Sequence, residues 1–141
     1  MTLRADLYIQ QNASWSHVHT HNDAAGSPID LTGYTAAMSI KRAPGQTVVA
    51  RAYLSSGGDA DGGTIVMGGA AGTITMSMTP AQTLKLLWDF DLWAVIESRD
   101  PDAALVKPQN TLVYDCSITN TNGVTTRVLE GRAIVRRSVT P

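Results

Sequence analysis

Apolar and polar residues alternate with a period of two along much of this 141-residue chain. Between Tyr34 and Ile40 every second side chain is apolar, and the pattern recurs in Thr73–Met78 and Leu112–Thr119. Such alternation places one set of side chains on each face of a strand, so it favours half-buried β-strands over helices. The chain is therefore predicted to be mainly β.

Turn residues separate these strands from several others. The further strands are predicted at Asp6–Gln10, Ser14–Asn22, Val48–Leu54, Thr64–Met67 and Val124–Arg136. Asn122–Gly123 is a signal for a two-residue hairpin, and the long last strand is expected to bend or bulge at Gly131. This pattern predicts one domain over residues 1–141, an antiparallel β-sandwich with one short helix.

The helix is predicted to begin after Thr79, which can cap it. Pro80 suits the first helical position and Gln82 can complete a capping box, so the helix is expected from Pro80 to about Leu86.

The residues that follow allow two interpretations. Leu84–Ile96 is either a longer helix with an apolar stripe, or a short helix followed by a strand near Phe90–Glu97. Ser98–Asn110 is predicted to be a loop, because Pro101 and Pro108 interrupt regular structure.

Charge and motif content exclude several functions. With 11 basic and 12 acidic residues, the net charge of −1 gives no general attraction to nucleic acid or to an anionic membrane. A single cysteine, Cys116, cannot form an intramolecular disulfide. No apolar run is long enough to predict a membrane span, and no nucleophile elbow or phosphate-binding loop is present. Neither an enzyme nor a cofactor is predicted.

Five segments carry a family resemblance, and they occur in this order: Asp6–Ala13, Pro28–Ile40, Gly72–Met76, Thr79–Thr83, and Tyr114–Ile118 followed by Gly123–Gly131. Together they resemble small structural proteins of tailed phages and prophages that are related to the N-terminal domain of baseplate upper proteins. The resemblance implies an immunoglobulin-like sandwich that is part of a virion. Residues at about 84–111 depart from the family pattern as an insertion.

The insertion carries three aromatic residues, Trp88, Phe90 and Trp93. These side chains either cover one end of the sandwich or anchor a neighbouring protein, since aromatic residues are favoured at interfaces.

Basic residues are concentrated near the C-terminus, where Arg127, Arg132, Arg136 and Arg137 occur. They either protect an exposed edge strand from aggregation or contact a partner surface.

Three histidines, His17, His19 and His21, alternate along one predicted strand and therefore share one face. By analogy with the family, that face is apolar. Three interpretations remain open: a metal site, a pH-sensitive contact between subunits, or structural histidines.

The resemblance thus leads us to expect a non-enzymatic virion subunit, an adaptor at the tail, collar, baseplate or fibre, present as homo-oligomeric copies. Its expected partners are other virion proteins, with no membrane and no nucleic acid among them. The alternatives are a capsid decoration protein and a carbohydrate-binding module in which Trp88 or Trp93 stacks on a sugar.

Overall fold

The computed structural model describes residues 2–41, 52–58, 62–84, 86 and 109–136. In this part of the chain the strands are β1 (Leu3–Arg4), β2 (Leu7–Gln10), β3 (Trp15–Thr20), β4 (Thr35–Lys41), β5 (Ala52–Ser55), β6 (Thr64–Met67), β7 (Thr73–Met78), β8 (Gln109–Thr119) and β9 (Thr125–Arg136). A single 3₁₀ turn spans Gly69–Ala71, and the helix α1 spans Pro80–Leu84. The mainly β prediction with one short helix is confirmed.

The described strands form one hydrogen-bonded sheet in the order β1-β9-β8-β4-β5-β6-β7-β3, and β2 also pairs with β9. The sheet curls into a half-barrel, so two separate layers are not clearly distinguished. Strands β1 and β2 run parallel to β9, and β5 runs parallel to β6. The prediction of a wholly antiparallel arrangement is therefore wrong, because alternation identifies strands without showing which strands pair.

The core lies on the concave side of the curled sheet. Met38 of β4 lies opposite Cys116 of β8, which lies opposite Leu129 of β9, and all three side chains are buried. The predicted alternation is confirmed on β7 as well, where Ile74 and Met76 have no exposed surface. Burial raises the pKa of the Cys116 thiol to about 12, so this thiol stays protonated and packs as a small apolar group.

The predicted capping box of α1 is confirmed. The Thr79 backbone N–H donates to Gln82 Oε1 at 2.9 Å, and the Gln82 N–H donates to Thr79 Oγ1 at 3.2 Å. The helix ends at Leu84, earlier than the predicted Leu86, because the chain turns to bury Leu86 completely in the core. The Thr83 hydroxyl donates to the Ala13 carbonyl at 2.9 Å, which fixes the helix to the turn between β2 and β3.

Three details of the β8–β9 hairpin differ from the prediction. The Asn120 N–H donates to the Val124 carbonyl at 3.0 Å, which leaves residues 121–123 in the loop rather than two residues. The bulge lies at Val128, between the pairs Cys116–Leu129 and Ser117–Arg127, and not at Gly131. In addition, β8 begins at Gln109, inside the predicted loop.

Strand β9 is not an edge strand. It pairs with β8 on one side, and on the other side with β1 and β2. The interpretation of its arginines as protection for an exposed edge is therefore wrong. Residues 3–10 pair with residues 129–136, close to the two ends of the chain. The alternation of residues within a strand cannot predict such long-range pairing.

Gly131 is where the N-terminal strands approach β9 most closely. Its φ of 155° suits only glycine, and a Cβ atom there would overlap the carbonyl oxygen of Ala5.

We expect Gly131→Ala to lower the free energy of unfolding by about 3 kcal/mol, measured by urea denaturation. Gly123→Ala is the matched control, because Gly123 also has a positive φ, 83°, but a Cβ there meets no atom within 4 Å. The control is expected to cost only about 1 kcal/mol. Equal losses in the two variants would contradict the close approach of Ala5.

Candidate interaction surfaces

A charged groove of about 670 Å³ lies between the β1–β2 segment and the outer face of β4, β8 and β9. Its charged lining residues are Arg4, Asp6, Lys41, Asp115, Arg127, Glu130 and Arg132. We call this surface the charged groove.

Strand register brings these side chains into rows. Ser39 lies opposite Asp115, Asp115 opposite Glu130, and Glu130 opposite Arg4, which gives one row across four strands. Ser39, Asp115 and Glu130 lie on the face away from the core, because residues next to them in their strands, Met38, Tyr114 and Leu129, are buried. Arg4 joins them through its ion pair with Glu130, at 3.4 Å. A second row passes from Lys41 through Val113 to Arg132.

The bulge at Val128 gives Arg127 its place in the groove. Strict alternation would put Arg127 on the same face as Leu129, which is buried in the core. The extra residue shifts the alternation by one position, so Val128 and Leu129 are both buried and Arg127 points outwards.

Ion pairs hold most of the groove's cationic side chains. Arg132 donates twice to Asp6, at 2.7 and 3.3 Å, and this hydrogen bonding holds the pKa of Asp6 below its ordinary value. Arg127 lies 3.4 Å from both Asp115 and Glu130. All of these side chains are substantially exposed, so the pairs orient the side chains more than they stabilise the fold.

Tyr114 anchors the groove to the N-terminal segment. Its hydroxyl donates to the Ala5 carbonyl at 2.7 Å. Burial raises the pKa of this hydroxyl above its ordinary value, so it remains a donor. The contact holds the stretch between β1 and β2 against β9, where Asp6 meets Arg132.

Lys41 differs from the arginines. Within the described residues it has no ion-pair partner, although it lies in the row that leads to Arg132. Its charge is therefore available to an external group.

The predicted site residues are only partly brought together. Arg127 and Arg132 share the charged groove, whereas Arg136 lies at the exposed end of β9 and does not line it. Trp88, Phe90, Trp93 and Arg137 lie outside the described residues, as does most of the ambiguous segment Leu84–Ile96. The N-terminal residues up to Asp6 were also predicted to face a partner, and Arg4 and Asp6 do line the groove. Sequence reasoning missed Lys41, since it reaches the groove only through long-range strand pairing.

The three histidines form the second surface, on β3 and just beyond it. His17 lies opposite Met76 and His19 opposite Ile74, so the predicted shared face is confirmed and points towards the core. His19 is only 7% exposed, and its Nε2 atom has no hydrogen-bond partner among the described residues. The rings of His19 and His21 lie 6.3 Å apart, centroid to centroid.

Electrostatics favour the neutral form of these imidazoles. Burial lowers the pKa of His17, His19 and His21. For His19, repulsion from His21 and His17 acts in the same direction. For His21, repulsion from the positively charged amino terminus also lowers the pKa.

Neither a metal centre nor a membrane span is found in the described part of the chain. No group of three or more histidine, cysteine or acidic side chains there is arranged to hold a metal ion, so the metal hypothesis for the histidines finds no geometric support. No described helix is long and apolar enough to cross a bilayer.

Comparison with known proteins does not assign the chain to a group. It matches no protein-family model and no curated protein.

We expect the free energy of unfolding to fall as the pH is lowered from about 7.5 to about 5. The ordinary histidine value is 6.5, and burial lowers the pKa of His19 in the folded state. The unfolded chain therefore takes up protons first, so the contribution of His19 to the free energy of unfolding is present above pH 6.5 and is lost as the pH falls below that value. His19→Leu is expected to flatten this dependence in urea titrations at several pH values. An unchanged slope would contradict the burial of a neutral His19.

Proposed function

We propose that the protein is a non-enzymatic structural subunit of a tailed-phage particle that acts through protein–protein contacts, as an adaptor at the tail, collar, baseplate or fibre. In this proposal the curled sheet is a variant of the immunoglobulin-like sandwich that the resemblance implies. The subunit is present in several symmetric copies, and its partners are other virion proteins.

The observation that carries the proposal is the agreement between the resembling segments and the secondary structure. Gly72–Met76 covers the start of β7, Thr79–Thr83 covers the cap and most of α1, and Tyr114–Ile118 lies within β8. Asp6–Ala13 contains β2 and the turn after it, where Asn12 has a φ of 59°. Segments that resemble a family in order, and that also fall on the strands and helix expected from the resemblance, support a shared architecture.

The charged groove supports a binding role. It displays basic and acidic side chains in fixed pairs on a rigid sheet, so it suits a partner surface that also carries both signs of charge. Such complementarity sets the specificity and rate of association more than its final strength. Pairing within the groove also limits non-specific attraction to polyanions, which agrees with the balanced net charge.

The proposal predicts that the chain copurifies with phage particles. An antibody against the recombinant protein is used to probe gradient-purified particles, and then heads and tails that have been separated after disruption. Recovery in the tail fraction in about tens of copies, counted by quantitative mass spectrometry, supports the adaptor role. Recovery with heads in hundreds of copies favours capsid decoration instead. Absence from particles would overturn the proposal, and glycan binding that Trp93→Ala abolishes would then favour a carbohydrate-binding module.

A charge exchange tests the role of the groove in assembly. Arg132→Asp breaks the pair with Asp6, whereas Asp6→Arg combined with Arg132→Asp restores a pair with the charges reversed. If a partner recognises the groove, both variants are expected to lose at least about tenfold in incorporation into particles, which corresponds to about 1.4 kcal/mol of binding. Rescue by the double variant would indicate that the pair serves only the fold of the subunit.

A further inference from the structure

The outer face of β3, β7 and β6 carries no charged residue. Its described side chains are Ser16, Val18, Thr20, Thr64, Val66, Thr73, Thr75 and Ser77, and none is larger than valine. We call it the neutral face. It contrasts with the charged groove, which lies on the outer face at the other end of the same sheet.

Two exposed valines mark the neutral face. Val18 of β3 lies opposite Thr75 of β7, which in turn lies opposite Val66 of β6. Val18 is 55% exposed and Val66 is 58% exposed, so the two side chains are nearly equivalent in their access to water. Only Val18 lies on the terminal strand.

Strand β3 ends the sheet and has one open edge in the described structure. It pairs with β7 alone. The His21 backbone N–H donates to the carbonyl of Gly72, just before β7, so it points towards β7. The backbone hydrogen-bonding groups of successive residues point to alternate sides of a strand. Those of His17 and His19 therefore also point to β7, and those of Ser16, Val18 and Thr20 point away from the sheet.

This edge lacks the usual protection against pairing. Natural edge strands carry lysine, proline, inward charges or bulges, and Trp15–Thr20 has none of these at neutral pH. At the other end of the sheet the terminal strands β1 and β2 have only 2 and 4 residues, and short edge strands are one of the protected forms. Strand β3 is longer, with 6 residues, and so offers more backbone groups for pairing.

We propose that the open edge of β3 pairs antiparallel with the β3 edge of a second copy of this chain, about a twofold axis at Val18. Val18 would then lie opposite its own equivalent, and Ser16 would lie opposite Thr20 of the second copy. About six backbone hydrogen bonds would form, because paired residues that face each other across an antiparallel ladder exchange two each. The neutral face would continue across the junction into a sheet of twice the width.

The absence of charge on β3 favours a second copy as the occupant. Across a twofold axis a charged residue would face the like charge of the second copy, and Trp15–Thr20 contains no Asp, Glu, Lys or Arg. The β3 strand of another copy meets this condition, and its sequence matches itself in the antiparallel register. A twofold contact of this kind is self-complementary and closed.

This inference deepens the proposed function, since a particle subunit present in many copies needs a contact between copies. It rests on the proposed function only for its biological setting. The test uses the isolated protein without particles, so its failure and the failure of the proposed function are distinguishable.

The experiment is sedimentation equilibrium of the full chain from about 10 µM to about 1 mM, the range expected for a small interface. The unaltered protein is expected to dimerise. Val18→Lys and Thr20→Lys, at two exposed positions of the open edge, are each expected to raise the dissociation constant at least about tenfold. Val66→Lys is the matched control and is expected to leave the constant within about twofold, because its equally exposed side chain lies two strands from the edge.

Each outcome decides the proposal. Loss of the dimer in both edge variants, with the control unchanged and all variants folded by circular dichroism, supports it. Equal loss in Val66→Lys would indicate association through the neutral face and would overturn edge pairing. A monomer throughout the concentration range would also overturn it and leave the edge to a strand from another protein.

Discussion

The parallel pairing of β2 with β9 is the interaction on which the rest of this structure depends. It buries Leu7 and Ile9 in the core and satisfies the backbone of β9 on the side away from β8. It also brings Ala5 against Gly131 and Tyr114, and Asp6 against Arg132. Without it, β9 would be an open edge lined with arginines, and the charged groove would lose one wall.

The same pairing leaves the two ends of the sheet chemically different. At one end, short N-terminal strands cover β9, and salt bridges across three elements fix the directions of the charged side chains. At the other end, β3 presents uncharged side chains, and among the described strands only β7 pairs with it. Charged pairs favour selective contact with a different protein, whereas an uncharged edge favours contact with a strand of the same kind.

The histidines connect the neutral end to the core. His19 is buried and lies opposite Ile74, and its Nε2 has no hydrogen-bond partner in the described structure, so its protonation is costly. The strand that carries the open edge is therefore also the strand whose packing responds most directly to acid.

Local sequence patterns were sufficient to predict several of the strands and the start of the helix. Alternation located β4, β7 and β8 with the correct inward faces, and Thr79, Pro80 and Gln82 located the start of α1. These predictions succeed because side-chain period and capping act over a few residues. The position of the bulge at Val128 was missed, because Gly131 has the composition of a bulge while the actual shift arises from burying Val128 and Leu129 together.

The sequence by itself determined that this chain is mainly β, which side chains of β4, β7 and β8 face inwards, and that three histidines share a face. Only the tertiary structure decided that β1 and β2 pair with β9 and that β3 ends the sheet. It also decided which charged side chains share one groove, namely Arg4, Asp6, Lys41, Arg127 and Arg132. The reason is physical: the period of a strand is local, whereas pairing depends on how the whole chain closes its apolar surface. Residues 126 positions apart, such as Asp6 and Arg132, meet only after that closure.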